Sequence, residues 1–207
     1  MHPTHSFSSK PVKASAKTIE IGNTRRITVF VNKAQAERLK KQITLQRRGY
    51  KVFYDSEVND RGFIALHDSW IRKARFDKYG NISGNFEVEF DVGEKLSDLG
   101  YVVEFNRNIK NYHGGAVDIV VNGKKMEIKT PEVYRAKTIW NRISKSKDKN
   151  GIYQSDYYII NLREKLEESE FNRLKKAIVY WQRRHEEKRI FILFNFGKVR
   201  FEEIKHD

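Results

Sequence analysis

Apolar positions along this chain alternate between a helical and a strand period, and the switches divide it into elements. Residues 26–32 (Arg-Ile-Thr-Val-Phe-Val-Asn) read as a strand. Ala36, Leu39 and Ile43 then recur at helical spacing among Arg38, Lys40, Lys41, Arg47 and Arg48. Asn32 is placed to cap that helix and Gly49 to end it. Residues 50–54 and 63–66 read as two further strands, which predicts a small β-α-β domain with a basic helix over residues 18–85. Residues 1–17, rich in Ser, Lys, Pro and His, have little to bury and predict a disordered basic arm. Two turn signals, Tyr79-Gly80-Asn81 and Gly84, fall within residues 67–86, so the domain boundary is expected there.

The second domain, residues 86–207, is expected to open with a helix starting at Asp91 or a neighbour. That helix would carry Val92, Leu96 and Leu99 on one side and stop at Gly100. A strand over 101–105 and a polar loop over 106–115 follow. Residues 117–129 then form two β-branched, apolar-rich runs joined by Asn122-Gly123. Asn-Gly is the strongest short-range signal for a two-residue hairpin, because a type I′ turn needs positive φ at both central positions. The register follows from the turn. Val121 lies opposite Lys124, Val120 opposite Lys125, Ile119 opposite Met126, Asp118 opposite Glu127 and Val117 opposite Ile128. One face carries Val117, Ile119, Val121, Met126 and Ile128; the other carries Asp118, Val120, Lys125, Glu127 and Lys129.

Beyond Thr130-Pro131, residues 135–149 are basic and helical or looped. Residues 157–162 form an apolar run that predicts a buried strand. A helix with Phe171, Leu174, Ile178 and Trp181 at helical spacing comes next, its stripe being core. Residues 189–194 and 198–201 predict a terminal hairpin. The whole reads as α+β (α/β-like), with a mixed central sheet flanked by helices.

Composition narrows the function. The 207 residues carry a net charge of +14, shared between the two parts of the chain, which favours a polyanionic partner, nucleic acid first and an acidic membrane surface second. The chain has no cysteine, which excludes a disulfide framework, a thiolate metal site and a cysteine nucleophile. No run approaches the roughly 18 consecutive apolar residues of a membrane-spanning helix, and the N-terminus lacks the apolar stretch of a signal peptide. A cytoplasmic protein, or one delivered as part of a larger product or by a dedicated route, is the expectation.

The chemistry concentrates on the hairpin. Two carboxylates directly across from each other destabilise a sheet. A hard divalent cation converts that repulsion into coordination, so Asp118 and Glu127 are the candidate metal ligands, with Mg2+ or Mn2+ as cofactor. Lys129, two residues along the same face, is placed to stabilise charge on a phosphate. His113, in the loop entering the hairpin, is a candidate general acid or base. Arg135, Lys137, Arg142 and Lys145, with Trp140 among them, read as a substrate clamp in which cations neutralise phosphates and an aromatic stacks on a base.

Asp118 followed by Glu127-Ile128-Lys129 resembles the D…(D/E)-x-K motif of the PD-(D/E)XK nuclease superfamily, with Val117 where a proline often stands. A wider stretch is similar to the C-terminal toxin domains of CdiA-type contact-dependent inhibition proteins. It comprises Gly100-Tyr101-Val102-Val103, residues 117–123, Glu127-Ile128-Lys129-Thr130-Pro131, Thr138-Ile139 with Asn141, Gln154-Ser155-Asp156, and residues 159–163, covering roughly residues 90–204. The resemblance implies a restriction-endonuclease-like core, a further acidic residue from the preceding helix (Glu94, with Asp98 the other option), tRNA ahead of DNA as substrate, and an acidic immunity protein as partner. Some such toxin domains have barnase, EndoU, colicin or RelE-like folds and cut RNA without metal; here His113, Lys129, Thr130 and Arg142 would serve. A DNA endonuclease, a non-catalytic nucleic-acid-binding module and a structural mobile-element protein with a dead site remain alternatives.

Overall fold

This computed structural model describes residues 15–21, 25–76, 82–163, 166–186, 189–194 and 201–205. In chain order the elements are β1 (Ser15–Ile21), β2 (Arg25–Val31), α1 (Lys33–Gln46), β3 (Tyr50–Asp55), β4 (Phe63–His67), α2 (Asp68–Ile71), β5 (Arg75–Phe76) and β6 (Ile82–Ser83). Then follow α3 (Asn85–Asp98), β7 (Val102–Phe105), β8 (Ile119–Val121), β9 (Lys124–Lys129), α4 (Ala136–Ser144), β10 (Tyr158–Leu162), α5 (Glu168–His185), β11 (Arg189–Phe194) and β12 (Phe201–Lys205). Eight strands form one sheet in the order β12-β11-β10-β9-β8-β7-β4-β3. The sheet is mixed: β4 runs parallel to β7 and β10 runs parallel to both β9 and β11, while the other neighbours are antiparallel. The fold is therefore α+β, as the pattern of apolar positions predicts.

Alternation along two strands shows how the layers sit. On β4, Ile64 and Leu66 join a core with Trp70 of α2 and Phe90, Val92 and Leu96 of α3. Phe63 and Ala65, pointing the other way, pack with Leu45 of α1. On β10, Ile159 belongs to the α3 core, whereas Tyr158, Ile160 and Leu162 meet Ile139 and Ile143 of α4 and Phe171, Leu174 and Ile178 of α5. Because side chains alternate faces, α2 and α3 cover one side of the sheet and α1, α4 and α5 the other. Burial on both faces explains why β4 is apolar over Phe63–Leu66 and why β10, with only Asn161 polar, does not alternate.

The structure corrects the expected boundaries in several places. Helix α3 begins at Asn85 instead of Asp91. Phe86 and Phe90 supply an earlier apolar ridge, Phe86 lying edge-on to Trp70 at 4.9 Å, and Leu99 is the C-cap, 40% exposed, instead of part of the buried stripe. Residues 50–67, read from sequence as part of a separate N-terminal unit, supply the last two strands at one end of the main sheet, β4 inside and β3 at the edge. Strand β2 pairs with β1 in a two-stranded ribbon instead. The physical reason lies in β4: a strand apolar on both faces needs cover on both, which a small β-α-β unit does not provide. The loop between β3 and β4 is fastened to the end of α3, where the Tyr54 and Ser56 hydroxyls both donate to Asp98 (2.9 and 2.8 Å). A Cβ at Gly62 would stand 1.6 Å from the Ser97 carbonyl oxygen.

Of the expected N-terminal arm, residues 1–14 lie outside the described residues and residues 15–17 belong to β1. The terminal hairpin pairs Arg189 with Lys205 through Leu193 with Phe201. Its second strand therefore spans Phe201–Lys205, later than the expected 198–201, and residues 195–200 lie outside the described residues. Among the described residues no helix is long and apolar enough to cross a membrane.

Candidate functional site

The Asn-Gly turn fixes the hairpin as the sequence predicts. Asn122 and Gly123 take φ values of 48° and 83°, and Val121 pairs with Lys124, Val120 with Lys125 and Ile119 with Met126. Asn122 also anchors the turn to the start of β7: its Oδ1 accepts from the Val102 amide and its own amide donates to the Val102 carbonyl, both at 2.9 Å. The ladder ends at Ile119 and Met126. Asp118 lies one residue before β8, and its Oδ2 accepts from the Ile128 amide at 2.7 Å. Past this point β9 pairs on its other side, setting Glu127 beside Tyr158 and Lys129 beside Ile160 of β10. The expected strand pairing of Asp118 with Glu127 thus gives way to a carboxylate reaching across to the neighbouring backbone.

Glu127 is 1% exposed. Its Oε1 accepts from Asn111 Nδ2 at 3.0 Å, and its Oε2 lies 3.7 Å from Lys129 Nζ. Burial, reinforced by the negative charge of Asp118, pushes the Glu127 carboxyl up to about 7; Asn111 and Lys129 oppose the shift. Lys129 donates to Gln154 Oε1 at 3.2 Å and stands 5.8 Å from the centre of the Tyr158 ring. A third carboxyl joins this field from α3. Glu89 is pushed up to about 8, first by burial and then by Asp118, with Glu127 adding to it and Arg107 opposing.

Glu94, the expected acidic contribution of α3, faces elsewhere. Burial and then the charge of Asp91 raise its pKa, with Lys95 and Asp98 its other charged neighbours. At 3.6 residues per turn, positions 89 and 94 are roughly 140° apart on the helix, so only one of them can face the hairpin. His113 is exposed, with Nε2 2.8 Å from the Ile152 carbonyl oxygen. Its backbone amide joins it to the site, donating to Asn111 Oδ1 at 3.0 Å.

The first part of the basic stretch is helix α4, which ends at Ser144. Arg135, at the N-cap of α4, and Lys137, Arg142 and Lys145 are all exposed, and α4 packs against β9, the strand that carries Glu127 and Lys129. Arg142 makes a surface ion pair with Glu132 at 3.8 Å. Trp140 is not a stacking platform. It is 6% exposed and stacks on Trp181 of α5 at 6.3 Å and His185 at 4.4 Å. Its position among Ile139 and Ile143 on the apolar stripe of α4, clearest once α5 is in place, is the signal that it belongs to the core.

Glu89, Asn111 and Gln154 are the site neighbours that sequence reasoning missed as site residues. The Phe86–Phe90 spacing was the available signal for a longer α3, and hence for Glu89. Asn111 and Gln154 come from loops, where no periodicity marks a direction.

Among the described residues no three His, Cys, Asp or Glu side chains stand close enough together to hold a metal ion on their own. Asp118 and Glu127 nevertheless fit a partial site of the Mg2+ type, in which one or two carboxylates hold the ion and waters and substrate phosphate oxygens complete its shell. The raised proton affinities of Glu127 and Glu89 are the mark of a buried acidic cluster short of positive charge. Comparison of the chain with protein families, curated proteins and solved structures finds no match.

Proposed function

We propose that this chain is a metal-dependent nuclease that hydrolyses phosphodiester bonds of nucleic acid, RNA (tRNA foremost) ahead of DNA. The observation that carries the proposal is the cluster at the open end of the β8–β9 hairpin. There, the charge of Asp118 bears on the fully buried Glu127, and Lys129 lies 3.7 Å from Glu127. Carboxyl groups held near neutral pH by burial and a neighbouring charge cluster at functional sites, where acid–base chemistry calls for them.

Asp118 and Glu127 would hold Mg2+ or Mn2+, which when bound polarises a phosphate oxygen and lowers the pKa of a water. Asn111 fixes one oxygen of Glu127, so this carboxylate keeps a single orientation. Gln154 holds the Lys129 ammonium, which stabilises the charge that builds on the phosphate oxygens during attack. Glu89, whose carboxyl is pushed up to about 8 and so keeps its proton at neutral pH, is suited to give a proton to the leaving oxygen. The exposed cations Arg135, Lys137, Arg142 and Lys145 would contact phosphates along the strand. The resemblance to toxin domains adds an acidic inhibitor protein that covers this basic surface.

The test is incubation of the purified protein with total tRNA and with plasmid DNA, in Mg2+, in Mn2+ and in EDTA. Cleavage of tRNA in either metal and none in EDTA is expected. RNA cleavage that survives EDTA would overturn the metal-dependent reading in favour of a metal-independent RNase.

A further inference from the structure

Beside the carboxylate site lies a cavity of about 250 Å3 whose wall includes Asn111, Tyr112, Lys124, Gln154 and Tyr157. Two of these residues are shared with the site itself. Asn111 donates to Glu127, and Gln154 accepts from Lys129. The cavity therefore lies one hydrogen bond away from the groups proposed to act on a phosphate. Its volume falls below the roughly 300–1,000 Å3 of pockets for drug-sized ligands, a size that suits one nucleobase rather than a longer segment.

Tyr112 is the unusual member of the wall. It is 62% exposed, yet it is held at both ends: its hydroxyl donates to Asp156 Oδ2 and its amide donates to the Gln154 carbonyl at 3.1 Å. A large ring kept rigid and open to solvent loses little conformational entropy on binding and offers a π-face to any base. The cavity also carries positive charge. Lys124 Nζ lies 5.0 Å from the centre of the Tyr157 ring, and Lys125 donates to the Lys110 carbonyl at 2.9 Å. A stacking face beside cations is the arrangement by which proteins grip single strands.

We infer that Tyr112 is a stacking platform for an unpaired base next to the scissile phosphate, so that the substrate is single-stranded or looped nucleic acid and not continuous duplex. A base within a duplex has both faces occupied by its neighbours and must leave the stack before it can lie on the ring. This inference rests on the nuclease reading, and its test keeps the two apart.

Oligonucleotides of RNA and of DNA carrying 2-aminopurine, single-stranded or annealed to a complement, are titrated with the Glu127→Gln protein in Mg2+, and fluorescence is read. Stacking on Tyr112 is expected to quench the single strands, which bind at least about tenfold more tightly than the duplexes of the same sequence. Tyr112→Ala is expected to abolish the quench and weaken binding about tenfold, the size of one lost base–aromatic stack. Tyr112→Phe, which keeps the ring and loses only the Asp156 tether, retains both. In the otherwise unaltered protein Tyr112→Ala raises KM and leaves kcat within a few-fold. Equal binding of duplex and single strand, or a Tyr112→Ala protein that binds and quenches like its parent, overturns the inference even if cleavage is observed. A phenylalanine variant as defective as the alanine variant does the same, since the tether and not the ring would then matter. Tyr112-dependent quenching in a protein that cleaves nothing would instead sink the nuclease reading and leave the platform standing.

Discussion

Glu127 and Glu89 carry the physical tension of the site at the scale of single residues. Both are carboxyl groups whose protons are held to about pH 7 and about pH 8 by burial and by the Asp118 charge. In the unfolded chain they lose those protons near the ordinary value of 4.5. Between these limits the folded state binds more protons than the unfolded state, so stability falls as pH rises. Without divalent cations, the melting temperature is expected to drop progressively from about pH 5 to about pH 8. Glu127→Gln should flatten that drop, and added Mg2+ should reverse part of it above pH 7. A scanning fluorimetry series over pH checks this, and a melting temperature that climbs through the same window would contradict it. The Asn122-Gly123 turn makes the register legible as far as Ile119 and Met126, which brings Asp118 and Glu127 close, but the reach of Asp118 to the Ile128 amide beyond the end of the ladder leaves no sequence signal. Glu89 was not legible, because its direction depends on where α3 begins.

Helix α4 shows how far periodicity reaches at the scale of elements. Its four cations, expected as a substrate clamp, are exposed, whereas Trp140, expected among them, is buried. The stacking of Trp140 on Trp181 and His185 can be seen only when α5 lies alongside. Trp140→Ala is therefore expected to cost about 3–5 kcal/mol of stability, as large-to-small core changes do. Lys137→Glu combined with Lys145→Glu should leave the melting temperature within a few degrees and weaken nucleic-acid binding, with a shallower dependence on salt. Denaturant titration and binding at two salt concentrations separate the effects. A Trp140→Ala protein of unchanged stability but poor binding would restore the base-stacking role that the sequence suggested.

The whole molecule is organised by one sheet that runs past the expected domain boundary. The turn-rich stretch over residues 67–86 does hold α2 and the small β5–β6 pair, which is why it looked like a linker. Phe63, Ile64, Ala65 and Leu66 are all fully buried, however, and β4 lies directly against β7. Adjacency of strands distant in sequence leaves no local trace, so the parallel β4–β7 contact was not readable from pattern alone. A fragment covering residues 86–207 is expected to lack a cooperative thermal transition by circular dichroism. It would expose the β7 edge and lose much of the apolar cover of α3. A fragment that melts like the full chain would show that the first strands are dispensable to the fold.

In the proposed reaction the Asp118–Glu127 pair and a divalent cation together cut nucleic acid. Its most direct test is single-turnover cleavage of tRNA by the unaltered protein and by Glu127→Gln, each with Mg2+ and with EDTA. Glu127→Gln keeps the size and the Asn111 contact of the side chain and removes its charge. Cleavage by the unaltered protein in Mg2+ alone, with a loss of about a hundredfold or more in Glu127→Gln, is the expected result. A Glu127→Gln protein that cuts as fast as its parent, or a parent indifferent to EDTA, would contradict the claim.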